Sequence, residues 1–100
     1  MSTPPDCAAR LVLHAPDAAE YGGRRVTCGA KVWLGLKWVA RLAHSGERRG
    51  KASSFVRAVW GEGQPSRVAL RALVFRVNEA LRELGYPGML LLEGDTLGLG

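Results

Sequence analysis

Between Ser66 and Gly85 the apolar residues Leu70, Leu73, Val74, Val77, Leu81 and Leu84 return every three or four positions, and no other feature constrains this chain as tightly. That recurrence marks a helix with one buried face. Ser66 is placed to cap its start and Gly85 to end it. Such a helix needs a core to lie against, and 100 residues, 47% of them apolar, supply one domain and leave no room for a second.

Two further helices are expected upstream. From Ala30 to His44 the positions Val32, Trp33, Leu36, Val39, Ala40 and Ala43 share one face, leaving Lys31, Lys37 and Arg41 outside. Trp38, next to Lys37, falls at the edge of that face, half exposed and open to a dimer contact. Gly46 and the basic loop Glu47-Arg48-Arg49-Gly50-Lys51 lead to a shorter helix from about Ser53 to Trp60, with Phe55, Val56, Val59 and Trp60 inward and Gly61 as its stop. Trp33 and Trp60 are read as core residues rather than stacking platforms. The loop Glu62-Gly63-Gln64-Pro65 joins this helix to the third.

Short strands flank the helices. Leu11 to His14 is broken by Pro16-Asp17, and the turn Tyr21-Gly22-Gly23 leads into Arg24 to Thr27, a small antiparallel ribbon. At the other end Met89 to Leu92, the turn Glu93-Gly94-Asp95 and Thr96 to Leu99 make a hairpin. The fold class expected is therefore α+β: a short N-terminal antiparallel sheet, three helices and a C-terminal β-hairpin wing. That is the layout of a winged helix-turn-helix. Residues 1–9 are expected to be a disordered or loose tail, and residues 10–100 the domain.

Charge is segregated along the chain. The formal net charge is +5, yet between Arg24 and Arg76 twelve basic residues face two acidic ones, Glu47 and Glu62, a local net of +10. A block of that kind suits a polyanion, because neutralising phosphates releases counterions. On the third helix, turning about 100° per residue, Arg67, Arg71, Phe75, Asn78 and Arg82 line one flank of the apolar stripe, with Ala72, Arg76, Glu79 and Glu83 farther round. The N-terminal half is thus cationic, the end the helix dipole also favours for an anion. Arginines over the small Ala72 fit a major groove, where guanine accepts a bidentate guanidinium. Backbone phosphates are left to some of Arg24, Arg25, Lys31, Arg48, Arg49, Lys51 and Arg57.

The run Val59-Trp60-Gly61, followed after a loop by Leu70-Arg71-Ala72-Leu73-Val74-Phe75-Arg76-Val77-Asn78-Glu79-Ala80-Leu81, resembles the DNA-binding domain of the OmpR/PhoB class of bacterial regulators. The ending Leu91-Leu92-Glu93-Gly94-Asp95-Thr96-Leu97 is similar to the winged helix of the Streptomyces antibiotic regulatory protein type, normally found ahead of a bacterial transcriptional activator domain. The likeness covers roughly residues 10 to 99. It implies binding of double-stranded promoter DNA, usually as a pair on direct repeats, and an RNA polymerase contact through the loop 62–65. It also implies that base-facing and phosphate-facing sites fall on Arg71, Ala72, Phe75, Arg76 and Asn78, with Arg67 near the helix start. The chain departs from the pattern at Phe75 and Asn78, where family members often carry arginine. It departs again at the wing tip, Glu93, Gly94, Asp95 and Thr96, where a basic residue is common. Phosphates repel an acidic tip, which either keeps the wing off DNA or turns this copy to another role.

Other chemistries find little support. His14 and His44 have no carboxylate or cysteine at ligand spacing, Cys7 and Cys28 are expected as reduced thiols, and no phosphate-cradling glycine motif occurs. The expectation is a non-enzyme without catalytic residues, metal or cofactor. Met1 to Asp6 lacks a secretory pattern and no stretch approaches the roughly 20 apolar residues of a membrane span, so a cytoplasmic, nucleoid-associated location is expected. With no fused receiver or sensor in view, control is expected from expression level, self-association or a separate partner. Two functions follow. The first is a sequence-specific or general DNA-binding transcriptional regulator with helix 66–84 in the major groove, acting alone or as a homodimer. The alternative is a winged-helix module for protein–protein interaction or dimerisation without DNA binding.

Overall fold

The computed structural model describes residues 10–100; the expected N-terminal tail, with Cys7, lies outside them. Strands β1 (Val12–His14), β2 (Ala18–Tyr21) and β3 (Arg24–Thr27) form an antiparallel sheet in that order, with Leu13 opposite Ala19 and Ala19 opposite Val26. The β2–β3 turn is Gly22-Gly23, both with positive φ (57° and 86°), the conformation that a two-residue hairpin matched to strand twist requires. The central strand β2 is absent from the sequence reading. Its Ala18-Ala19-Glu20 start has weak strand propensity, and only the burial of both alanines in the fold selects it.

The helices are α1 (Ala30–His44), α2 (Ala52–Trp60) and α3 (Arg67–Leu84). All six expected stripe residues of α3 are buried, the Ser66 hydroxyl accepts from the Ala69 N–H at 3.1 Å, and Gly85 ends the helix in the left-handed region. Helix α1 buries Gly35, Leu36, Trp38, Val39, Ala40 and Leu42, an arc turned from the expected one, so that Ala43 is exposed and Trp33 half-buried. The reason is that α1 packs against α2 and α3 on one side and the first sheet on the other. Trp38 is buried, its ring edge-on to Phe55 at 5.3 Å and its indole N–H donated to Ser54 Oγ at 3.2 Å, so it offers no dimer contact. Trp60 is half-buried. Trp33 donates its indole N–H to the Ala18 carbonyl at 2.9 Å.

Gly35 lies where three elements meet. A Cβ there would stand 2.7 Å from Val77 Cγ2 and 3.4 Å from the Phe55 ring. Gly35→Ala gains about 1 kcal/mol of helix propensity, yet overpacking of this kind costs about 1 to 3 kcal/mol. The expected outcome is a lower melting temperature by circular dichroism; an unchanged or raised one would show that α1 and α3 can separate freely at this point.

The basic stretch expected as a loop folds instead as a strand. β4 (Arg49–Lys51) pairs with β6 (Thr96–Leu99), which pairs with β5 (Leu90–Glu93), giving the order β4-β6-β5. Arg-Gly-Lys has no local strand signal, and its geometry comes from a partner far along the chain. Gly50 is needed there because a Cβ would stand 2.7 Å from the Trp38 ring. The hairpin is one residue later than expected at its start, although Met89 still exchanges both backbone bonds with Gly100. Sheet, three helices and terminal hairpin make an α+β fold of winged-helix-like topology. Among the described residues no helix is long and apolar enough to cross a membrane.

Candidate nucleic-acid interface

Helix α3 lies along the free side of β5 and is tied to the hairpin at two points. Near its start Arg67 Nη2 donates to the Gly94 carbonyl at the wing tip, 3.2 Å away. Farther along, Asn78 Nδ2 donates to the Leu90 carbonyl at 3.0 Å while its Oδ1 accepts from the Leu90 N–H at 2.7 Å. In an antiparallel ladder residues alternate between bonded and non-bonded pairs. Met89 is bonded to Gly100, so Leu90 turns its N–H and C=O to the open edge, where the Asn78 amide stands in for a missing strand. Asn78 therefore does not meet the expectation of a base-facing residue, since both ends of its amide are engaged by the wing. The N-terminal half of α3 is thereby set beside the wing tip, and the C-terminal half beside the hairpin base.

Between these ties Arg71, Ala72, Phe75 and Arg76 are all exposed, as their positions on the helix require. The tip itself is held from below, where the Ala52 N–H at the start of α2 donates to the Asp95 carbonyl at 2.8 Å and Lys51 stands opposite Thr96. Thr96 Oγ1 closes the turn on the Glu93 carbonyl at 3.0 Å. Lys51 and Arg67 thus flank the acidic tip of Glu93 and Asp95.

The remaining expected phosphate contacts scatter. Arg48 and Arg49 are exposed but belong to the β4 side, and β4 is two strand spacings, about 10 Å, from β5, beyond which α3 lies. Arg57 shares a groove of about 450 Å³ with Arg41, between α1 and α2. Arg24 is directed at the other end of α3, where its Nη1 donates to the Glu83 carbonyl at 3.4 Å, a cation on the negative end of the helix dipole. Among the described residues the ion pairs are His14–Glu20 at 3.0 Å and Arg82–Glu79 at 3.4 Å. Among the described residues no carboxylate pairs with Lys51, Arg67, Arg71 or Arg76. Their charge is turned outward.

The loop 62–65 is exposed at Glu62, Gly63 and Gln64 and half-buried at Pro65. Burial, with the nearby Asp17 carboxylate, pushes the Cys28 thiol up from its ordinary value. No group of three or more metal-ligating side chains occurs among the described residues. Compared with family models, curated proteins and solved structures, the chain matches none.

Proposed function

We propose that this chain is a double-stranded-DNA-binding transcriptional regulator of the OmpR/PhoB-like winged-helix type, with the N-terminal half of α3 in the major groove. What supports the reading is one juxtaposition. On α3, Arg67 reaches the wing tip, where Lys51 joins it from a strand distant in sequence, while Arg71 lies one turn on and Arg76 on the far edge of the exposed arc, and none of the four carries a carboxylate partner among the described residues. Exposed cations along the N-terminal half of α3 attract phosphate, and the exposed Arg71 beside the small Ala72 reaches base edges. Lys51, opposite Thr96, and Arg67, bonded to the Gly94 carbonyl, lie on either side of the tip, which offsets the repulsion of Glu93 and Asp95.

Fluorescence anisotropy with a labelled mixed-sequence duplex at about 50 and 200 mM salt tests the reading, because phosphate-driven binding falls steeply over that range. Lys51→Ala is expected to weaken every sequence alike and to lower the salt slope by about one. Loss on a selected sequence alone would make Lys51 a base reader instead. Absence of binding at the lower salt would remove the proposal.

A further inference from the structure

The exposed side of α3 carries an apolar crest opposite its buried stripe. At about 100° per residue, Val68 points away from the fully buried Val77. Val68 is 78% exposed, Phe75 is 62% exposed, and Ala72 between them is exposed as well. Phe75 lies about 20° to one side of Val68 and Ala72 about 40° to the other, so the three form one ridge about 10 Å long. Arg71 stands about 60° from Val68 on one flank and Arg76 about 80° on the other, and neither has a carboxylate partner among the described residues. Glu79 ends the ridge one turn beyond Phe75, where its carboxylate accepts from Arg82 Nη2 at 3.4 Å.

Turned outward, Val68 adds nothing to the core, and as a β-branched residue it is a poorer helix former than the alanine beside it. An apolar ridge with a free guanidinium on each flank suits an apolar surface that is itself bordered by anions. The major groove of B-DNA is one: each thymine presents a C5-methyl group on its floor, and phosphates line both walls about 12 Å apart. The ridge matches about three base pairs at 3.4 Å each. A stable protein interface takes about 800 Å² from each partner, more than three side chains supply when one is alanine. Asn78, whose amide would otherwise suit adenine, is engaged by Leu90, which leaves methyl contact as the means by which this helix recognises an A·T pair. We propose that Val68, Ala72 and Phe75 read pyrimidine C5-methyl groups, as thymine carries, while Arg71 and Arg76 take the polar contacts on either side. The proposal rests on the DNA reading above and adds the class of site preferred, one with A·T pairs under the crest.

The test uses the full chain and fluorescence anisotropy at about 50 mM salt, comparing a labelled alternating dA–dT duplex with the same duplex carrying uracil for thymine, which removes only the methyl. A buried methyl is worth roughly fourfold in affinity, so with two or more under the crest the thymine duplex is expected to bind about tenfold more tightly. The double variant Val68→Ser/Phe75→Ser should bind both duplexes equally, with the parent's melting temperature because both positions are exposed. Methylating cytosine at C5 in an alternating dG–dC duplex then identifies the source: a like gain extends the ligand to 5-methylcytosine and no gain confines it to thymine, both within the proposal. Equal affinity of the parent for the thymine and uracil duplexes overturns the proposal and leaves the DNA reading in place. So does a preference that survives the double substitution, which puts the methyl contact elsewhere. Failure to bind either duplex removes both readings. A dimer that Val68→Ser dissolves also overturns the proposal and assigns the crest to a second copy.

Discussion

Reversing Arg71 and Arg76 to glutamate together is expected to lower affinity for a mixed-sequence duplex by more than about 100-fold at 50 mM salt, and to flatten the salt dependence of what remains. The magnitude follows from the parts. An arginine reading a base edge is worth about 1 to 3 kcal/mol, and one on a phosphate about one in salt slope; reversal adds repulsion to both losses. Arg71 and Arg76 are exposed and make no ion pair among the described residues, so the fold has no stake in them. Circular dichroism and melting temperature should match the parent. The milder Arg71→Ala separates the roles, since loss confined to a preferred sequence marks base readout and equal loss on all sequences marks a phosphate contact. Duplex binding that survives the double reversal would show that α3 does not enter the groove, and the DNA reading would fall.

Asn78→Ala is the substitution with the largest expected effect on stability. It deletes a donor and an acceptor at once and leaves the outward N–H and C=O of Leu90 without their partner, at 2.7 and 3.0 Å in the native state. Each backbone group left unsatisfied costs about 1 to 3 kcal/mol. Because Asn78 is only half-buried, water recovers some of this, and a net loss of about 2 to 4 kcal/mol is expected, equal to a fall of roughly 10 to 20 °C in melting temperature for a domain of this size. Asn78→Asp keeps the acceptor for the Leu90 N–H but sets a carboxylate against the Leu90 carbonyl, so it should fall no less than halfway toward the alanine variant. Amide exchange should quicken first at Leu90. A melting temperature within about 2 °C of the parent would mean that the wing is held to α3 by packing alone.

Asn78 also shows where reading residues in order stops. Its place on the flank of α3 was legible from helical spacing, as was that of Arg67. What each side chain does there depends on a strand twelve residues away in one case and a wing tip twenty-seven away in the other. An asparagine on a basic helix looks like a base reader when its neighbour is unknown. Trp38 failed for a related reason: Lys37 beside it suggested an edge position, whereas Phe55, Ser54 and Gly50, on elements formed later in the chain, enclose it.

The number, order and approximate ends of the helices were determined by the sequence itself, because a buried helical face writes a period of three to four and its ends are marked by Ser66, Gly61 and Gly85. So was the excess of positive charge, and its concentration in the N-terminal half of α3. Only the tertiary structure decided that Arg49-Gly50-Lys51 is a strand and that Ala18 to Tyr21 is another. A three- or four-residue strand has no period to read and exists through its hydrogen-bonded partner. From those pairings came the sheet order, hence the position of Lys51 at the wing tip and the separation of Arg49 from α3. Charge could be counted along the chain, but which charges share a surface was decided by contacts between residues far apart in it.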